Sequence, residues 1–116
     1  MIDPVDVIHQ KIHLATEALE YIGARPLTPG YDPLSEGDAL ELQRHHFIDV
    51  LDDLNVQLAL ALASEDAVEA PTPAQVTAVI DATTAVESLN KNQAIGAASL
   101  DILNAGFAAA QPLAKA

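Results

Sequence analysis

The feature that most constrains the fold is a long segment, residues 35–64, in which apolar residues recur every three or four positions. This spacing places them on one side of an α-helix. They are Leu40, Phe47, Val50, Leu51, Leu54, Leu58, Ala61 and Leu62. We therefore predict a helix over about residues 36–63, capped at its N-terminus by Ser35, and we expect the rest of the chain to pack around it.

A shorter helix is predicted near the N-terminus. The side chain of Asp3 can accept a hydrogen bond from a free backbone amide, and Pro4 suits the first helical position, where no amide donor is needed. The helical spacing of apolar residues continues to Ile22, and Gly23 favours a left-handed stop. We therefore place this helix at about residues 4–22.

The connection of residues 24–34 is predicted to be a loop, because its prolines restrict the backbone to extended and turn conformations. It is long for a link between bundle helices. We expect Leu27, Tyr31 and Leu34 to lie along the bundle, so that the loop covers one end of the core. A binding loop is the alternative.

A third helix is indicated by the clearest local pattern in the chain, a capping box. Thr72 can cap the helix, Pro73 fits the first position, and Gln75 can reach back to the amide of the cap. Apolar residues then follow at helical spacing, which predicts a helix over residues 73–89.

A fourth helix follows a predicted turn at residues 90–92, whose two asparagines tolerate the left-handed backbone region. We expect this helix over residues 93–110, with residues 111–116 as a frayed tail. Its many small residues permit close packing, either within the chain or against a second copy. One continuous helix over residues 72–110 is the alternative.

Composition agrees with an all-α fold. Half of the residues are apolar but only 3% are aromatic, and the excess is mostly Ala, a strong helix former of small volume. We predict one domain, residues 1–116, folded as a four-helix bundle of up-down-up-down topology with one long Pro-rich connection between the first two helices. The chain has no cysteine, which excludes disulfides and thiolate metal sites and suits the cytoplasm, where we expect the protein.

The charge of the chain restricts its partners. Seventeen acidic residues oppose five Lys and Arg, giving a formal net charge of −12 at pH 7. Binding to nucleic acid or to an anionic membrane needs clustered basic residues, so neither is expected. No apolar run is long enough to span a membrane, and the N-terminus lacks the features of a signal peptide. The charge would steer a basic partner towards the protein, although it also serves solubility.

Histidines spaced by one helical turn raise the possibility of a metal site. His9 and His13 lie four residues apart on the predicted first helix, and Glu17 continues the row. A second row is formed by His45 or His46 with Asp49 and Asp53. Most of these positions lie away from the apolar sides of their helices, whereas metal ligands of bundles project inwards. A metal site formed by His9, His13, His46 and Asp49 is therefore an alternative hypothesis, and we expect no cofactor. Histidines beside acids could also sense pH, although solvated surface histidines are the simpler interpretation.

Enzymatic activity is not expected. Asp49, Asp52 and Asp53 could act as acid and base only in a pocket that separated their pKa values. No nucleophile motif or Gly-rich phosphate loop accompanies them in the sequence. No motif in the chain identifies a reaction or a family.

The favoured function is protein–protein interaction. Several apolar residues of the long helix fall outside its main apolar side and lie beside a cluster of acids, a combination typical of an interface with a polar rim. The predicted partner-binding residues are Ile48, Asp49, Asp52, Asp53, Val56 and Leu60. The partner would be another protein or a second copy of the chain. The alternative is an acidic inhibitor or immunity-type protein that occupies a basic site on an enzyme.

Overall fold

The computed structural model describes residues 2–27, 29–92 and 97–115 and contains four α-helices in these ranges. They are α1 (Pro4–Ala24), α2 (Pro33–Ala63), α3 (Pro73–Asn92) and α4 (Ala97–Ala110). Short 3₁₀ turns lie at Arg25–Leu27 and Glu65–Ala67. The predicted all-α four-helix bundle is confirmed. Across the part of the chain that the structure describes, every helix is too short or too polar to serve as a membrane span.

Contacts between helices fix the direction of each one. Residues 13 and 17 of α1 contact residues 87 and 90 of α3, so these two helices run parallel. Gln43 and Gln57 of α2 bond to Asn104 and Leu113, so α2 runs parallel to α4 and on into the tail. Lys11 bonds to Ala109, and Leu14, further along α1, lies beside the earlier residue Gly106, so α1 and α4 are antiparallel. The order is therefore up-down-up-down.

The most widely connected helix is α1 rather than α2. It packs against α2, α3 and α4, whereas the principal contacts of α2 are with α1 and α4. Its buried residues are Pro4, Val7, Ile8, Lys11, Leu14, Ala15, Ala18, Tyr21 and Ile22. The expectation that the chain packs around α2 is thus wrong, because α1 carries buried residues on a broader part of its surface.

Lys11 ties α1 to the end of α4. Its buried ammonium group donates a hydrogen bond of 3.1 Å to the carbonyl of Ala109 and a second to the carbonyl of Gln111. Burial lowers the pKa of Lys11 below its ordinary value. The C-terminal end of a helix carries partial negative charge. This charge offsets part of the free-energy cost of burying the ammonium group.

The buried side of α2 alternates steps of three and four residues along its length. The residues are Leu40, Gln43, Phe47, Val50, Leu54, Gln57 and Ala61. Such a regular pattern gives a narrow seam of the coiled-coil type. Of the residues predicted to lie on this side, Leu51 and Leu58 sit at the edge of the seam and are partly buried, whereas Leu62 is 66% exposed. The assignment of Leu62 to the buried side is wrong, since it lies beyond the edge of this narrow stripe.

The N-terminus of α2 lies at Pro33, with Asp32 rather than Ser35 as its cap. The Asp32 carboxylate accepts from the amide of Leu34 at 3.0 Å, so Asp32-Pro33 repeats the arrangement that starts α1. Leu27 and Leu34 are almost fully exposed, and only Tyr31 of the three loop residues packs against the core. The prediction that all three lie along the bundle is therefore wrong.

The predicted ends of α2 at Ala63 and α4 at Ala110 are confirmed, whereas the predicted ends of α1 and α3 are shifted. Gly23 lies inside α1, which continues to Ala24, and α3 continues to Asn92 in place of the predicted turn at residues 90–92. The predicted start of the last helix, Gln93, lies outside the described residues. A single helix over residues 72–110 is excluded, because α3 and α4 pack against one another.

The predicted capping box is present: the amide of Gln75 donates to the Thr72 hydroxyl at 3.1 Å, and the amide of Thr72 donates to Gln75 Oε1 at 2.8 Å.

The described part of the tail, residues 111–115, is held in place, so the prediction of a frayed tail is wrong there. Leu113 is buried, and its amide and carbonyl both bond to the side chain of Gln57. The amide of Glu69 donates to the carbonyl of Ala114 at 2.8 Å. These bonds satisfy backbone groups that water would otherwise have to solvate.

Candidate functional site

The predicted partner-binding residues lie on the outer surface of α2. Val56 and Leu60 are 63% and 52% exposed, so two large apolar side chains one helical turn apart face solvent. Asp49, Asp52 and Asp53 are also exposed, whereas Ile48 is partly buried. Exposed apolar and acidic residues therefore share the C-terminal half of this helix.

Helical geometry explains this arrangement. Positions 49, 53, 56 and 60 are separated by four, three and four residues, so they form one line along the helix. Each of these positions directly precedes a residue of the buried seam, so the line lies about 100° around the helix from that seam. Ile48 and Asp52 lie further around the helix and do not line the groove described next.

Val56 and Leu60 form one wall of a groove of about 480 Å³. The opposite wall comes from the segment after α2 and from the tail. The lining residues are Asp53, Val56, Gln57, Leu60, Ala67, Val68, Pro112, Leu113 and Lys115. We call this set the tail groove. Its volume falls within the roughly 300–1,000 Å³ typical of ligand clefts.

The tail side of the groove is fixed by a reciprocal pair of hydrogen bonds. Gln57 Nε2 donates to the carbonyl of Leu113 at 2.7 Å, and the amide of Leu113 donates to Gln57 Oε1 at 2.9 Å. An isolated antiparallel bridge joins Val68 to Lys115. The groove is therefore a preformed cleft with an ordered wall, which reduces the entropy cost of binding.

Charge is distributed unevenly around the tail groove. Asp53 lies on the α2 side and Lys115 on the tail side, while Asp49 extends the acidic side along the helix and Asp52 lies further around it. Among the ion pairs of the described residues, none includes these three aspartates. Their carboxylates are therefore available to a basic group on a partner.

Sequence reasoning missed the second wall of this groove. Leu113 falls within the predicted frayed tail, and neither Val68 nor Gln57 is among the predicted partner-binding residues. The signal for Gln57 was its spacing in the seam of α2, where a polar residue must find a hydrogen-bond partner. No local pattern indicates that the partner is the backbone of a residue 56 positions later in the chain.

The four residues predicted as possible metal ligands do not form one site. His46 stacks on Phe107, with ring centroids 4.7 Å apart, and Asp49 points to solvent. His9 lines a separate groove of about 380 Å³ between α1 and α3, together with His13 and residues of α3. Within the described residues, the group of ligand atoms close enough to share a metal contains only His13 from the predicted set.

The group that does come together is His13, Glu17 and Glu87, here called the His13 cluster. Its three ligand atoms all lie within 4.8 Å of one another. His13 Nε2 lies 3.2 Å from Glu87 Oε1 and 3.9 Å from Glu17 Oε1. The other oxygen of Glu17 accepts a hydrogen bond of 3.1 Å from Asn90. His13 and Glu17 are neighbours because they lie four residues apart on α1. Glu87 reaches them from α3, which runs parallel to α1.

Comparison with protein-family models, with curated proteins and with solved structures finds no match for this chain.

Proposed function

We propose that this protein is a non-enzymatic interaction module that binds an apolar, basic segment of another protein in the tail groove. The observation that carries the proposal is the pair of exposed apolar residues, Val56 and Leu60, on the wall of an ordered cleft. Burial of such side chains against a partner is favourable by roughly 25 cal/mol for each Å² of apolar surface removed from water.

The acids beside the groove define the chemistry of the partner. A segment with apolar residues on one face would fill the cleft, while flanking Lys or Arg would pair with Asp49, Asp52 and Asp53. The net charge of −12 would speed the encounter with such a segment. A second copy of this chain is a poorer occupant, because two copies would bring acidic surfaces together.

A defined peptide tests the proposal. The probe is a synthetic amphipathic helix with leucines on one face and lysines on the flanks, and its binding is followed by fluorescence anisotropy at low salt. We expect Leu60→Asp and Val56→Asp to weaken binding at least about tenfold, which corresponds to ~1.4 kcal/mol. Leu62→Asp is the matched control, because Leu62 is at least as exposed as Leu60 and Val56 on α2 but lies outside the groove. Equal losses in Leu60→Asp and Leu62→Asp would show that the groove is not the binding surface.

The alternative, an acidic inhibitor that occupies a basic enzyme site, predicts a different pattern with the same peptide. Binding would then depend on Asp49, Asp52 and Asp53 rather than on Leu60 and would fall steeply with added salt. Comparison of a triple Asp→Asn variant with Leu60→Asp therefore separates the two functions. If that variant loses binding while Leu60→Asp keeps it, the inhibitor function is favoured and the groove has no part in recognition.

A further inference from the structure

We propose that the His13 cluster is a binding site for a divalent transition-metal ion such as Zn²⁺, linking α1 to α3. This site differs from the one suggested by sequence spacing, since two of its three ligands are glutamates and one of them, Glu87, comes from α3. It lies apart from the tail groove and does not depend on the function proposed for that groove.

The first argument is geometric. A four-coordinate zinc ion holds its ligand atoms at about 2.0–2.2 Å, so neighbouring ligand atoms are roughly 3.3 Å apart. The separations of Nε2 from the two glutamate oxygens are 3.2 and 3.9 Å, and no pair in the cluster exceeds 4.8 Å. Small rotations of exposed side chains would bring the three atoms to coordination distance. Glu87 and His13 have that freedom, because both are exposed.

The second argument concerns charge. Two carboxylate oxygens converge on a single imidazole nitrogen, which can carry only one proton. Among the ion pairs of the described residues, Glu17 and Glu87 pair with His13 and with no Lys or Arg. When His13 is neutral, its Nε2 proton can serve the carboxylate at 3.2 Å, and the second, at 3.9 Å, is beyond hydrogen-bond distance. A divalent cation would interact with both.

The third argument is the orientation of Glu17. This residue is only 21% exposed, and Asn90 donates hydrogen bonds to its Oε2 atom at 3.1 Å and to its backbone carbonyl at 3.0 Å. The contact leaves Oε1 directed at His13. A hydrogen-bonded residue of this kind behind a ligand fixes its orientation and raises metal affinity. The three protein ligands leave a fourth position for water, and the groove that contains His9 and His13 opens beside it.

The experiment uses the untagged full chain after dialysis against a chelator, because a histidine tag would bind the probe. Zn²⁺ is titrated by isothermal calorimetry at pH 7.5, and the melting temperature is measured with and without the metal. We expect one Zn²⁺ per chain and a rise in melting temperature, since a ligand that binds only the folded state stabilises it. Lowering the pH should weaken binding, because protons compete for His13.

Variants locate the site. We expect His13→Ala and Glu87→Gln to lower the Zn²⁺ affinity at least tenfold. Both residues are exposed, so helicity measured by circular dichroism should be unchanged, which separates loss of a ligand from loss of the fold. The matched control is His45→Ala, since His45 also lies 3.2 Å from a glutamate, Glu41, but that carboxylate is held by Arg44. Absence of Zn²⁺ binding, binding that survives His13→Ala, or an equal loss in His45→Ala would each overturn the proposal.

Discussion

The buried ion pair between Arg25 and Glu36 gives a prediction whose size can be worked from the structure. Arg25 is 1% exposed and Glu36 14% exposed, and two hydrogen bonds of 3.0 Å join the guanidinium to both carboxylate oxygens. The guanidinium also lies 5.7 Å from the ring centre of Tyr31 and bonds to the carbonyl of Gly30. Gly30 has a positive φ of 87°, which glycine adopts without strain. The pair thus joins the end of α1 to the start of α2.

The perturbation is Glu36→Gln, which keeps the shape of the side chain and removes its charge. Loss of one partner from a buried ion pair costs about 3–5 kcal/mol, because the other charge stays buried without compensation. The partial exposure of Glu36 and the remaining amide oxygen of Gln reduce this cost, so we expect about 2–3 kcal/mol. For a chain of this length, that corresponds to a fall in melting temperature of roughly 8–12 °C.

The pair also predicts a pH dependence. Hydrogen bonds from Arg25 hold the pKa of Glu36 below its ordinary value of 4.5. The unfolded chain therefore binds the proton more readily, so the stabilisation is complete above the unfolded pKa and is lost as the pH falls through the folded pKa. We expect the stability difference between the natural chain and Glu36→Gln to be constant above about pH 5.5 and to shrink below about pH 4.5.

The assay is urea unfolding followed by circular dichroism between pH 3 and 7. The control is Glu41→Gln, because Glu41 also pairs with an arginine, Arg44, but at the surface, where the two side chains are 55% and 43% exposed. Arg44 lowers the pKa of Glu41 as well, yet exposed pairs contribute little, so we expect no measurable change in the free energy of unfolding. A cost for Glu36→Gln no larger than that for Glu41→Gln, or one that does not vary with pH, would refute the reasoning.

Two further substitutions test the packing around the groove and within the core. Gln57→Leu leaves the amide and carbonyl of Leu113 without their partner, so we expect a loss of about 2–4 kcal/mol in urea unfolding and faster amide exchange in the tail; unchanged exchange would mean that the tail is held by other contacts. Gly106→Ala adds a methyl group that would meet Val86, Leu14 and Phe47 at 3.6–3.7 Å, an ordinary contact distance. Since glycine weakens a helix, we expect a gain of up to about 1 kcal/mol, and a destabilised variant would show that the helices are packed more tightly than described.

The parts of the fold that local chemistry determines were predictable. The capping box at Thr72 and the Asp-Pro start of α1 depend only on residues close in sequence, and both are present. Asp32-Pro33 carries the same pattern as Asp3-Pro4, and it is this local pattern, not Ser35, that starts α2. The number of helices and the all-α class follow from apolar periodicity. This periodicity shows which side of a helix is buried even when the helix that packs against it is unknown.

The parts that depend on distant residues were not predictable in the same way. Burial of Arg25 requires the loop to bring Tyr31 and Glu36 to it, and a charged residue carries no sequence sign that it will be buried. The tail seemed free because its anchor, Gln57, lies half the chain away. For the candidate sites, periodicity indicated the exposed face of α2 and the row of His13 and Glu17. Periodicity could not predict the second wall of the tail groove or the third member of the His13 cluster, Glu87. Both depend on how distant segments of the chain pack together.

Nuclear magnetic resonance with a ¹⁵N-labelled chain tests the proposed binding groove most directly. The lysine-flanked amphipathic peptide is titrated into the protein while the backbone amide signals are followed. We predict that the shifted amides belong to residues 53–60, 67–69 and 113–115, with those of the groove between α1 and α3 unchanged. Shifts centred on the groove between α1 and α3, or no shifts at peptide concentrations in the millimolar range, would contradict the assignment of the tail groove as the interaction site.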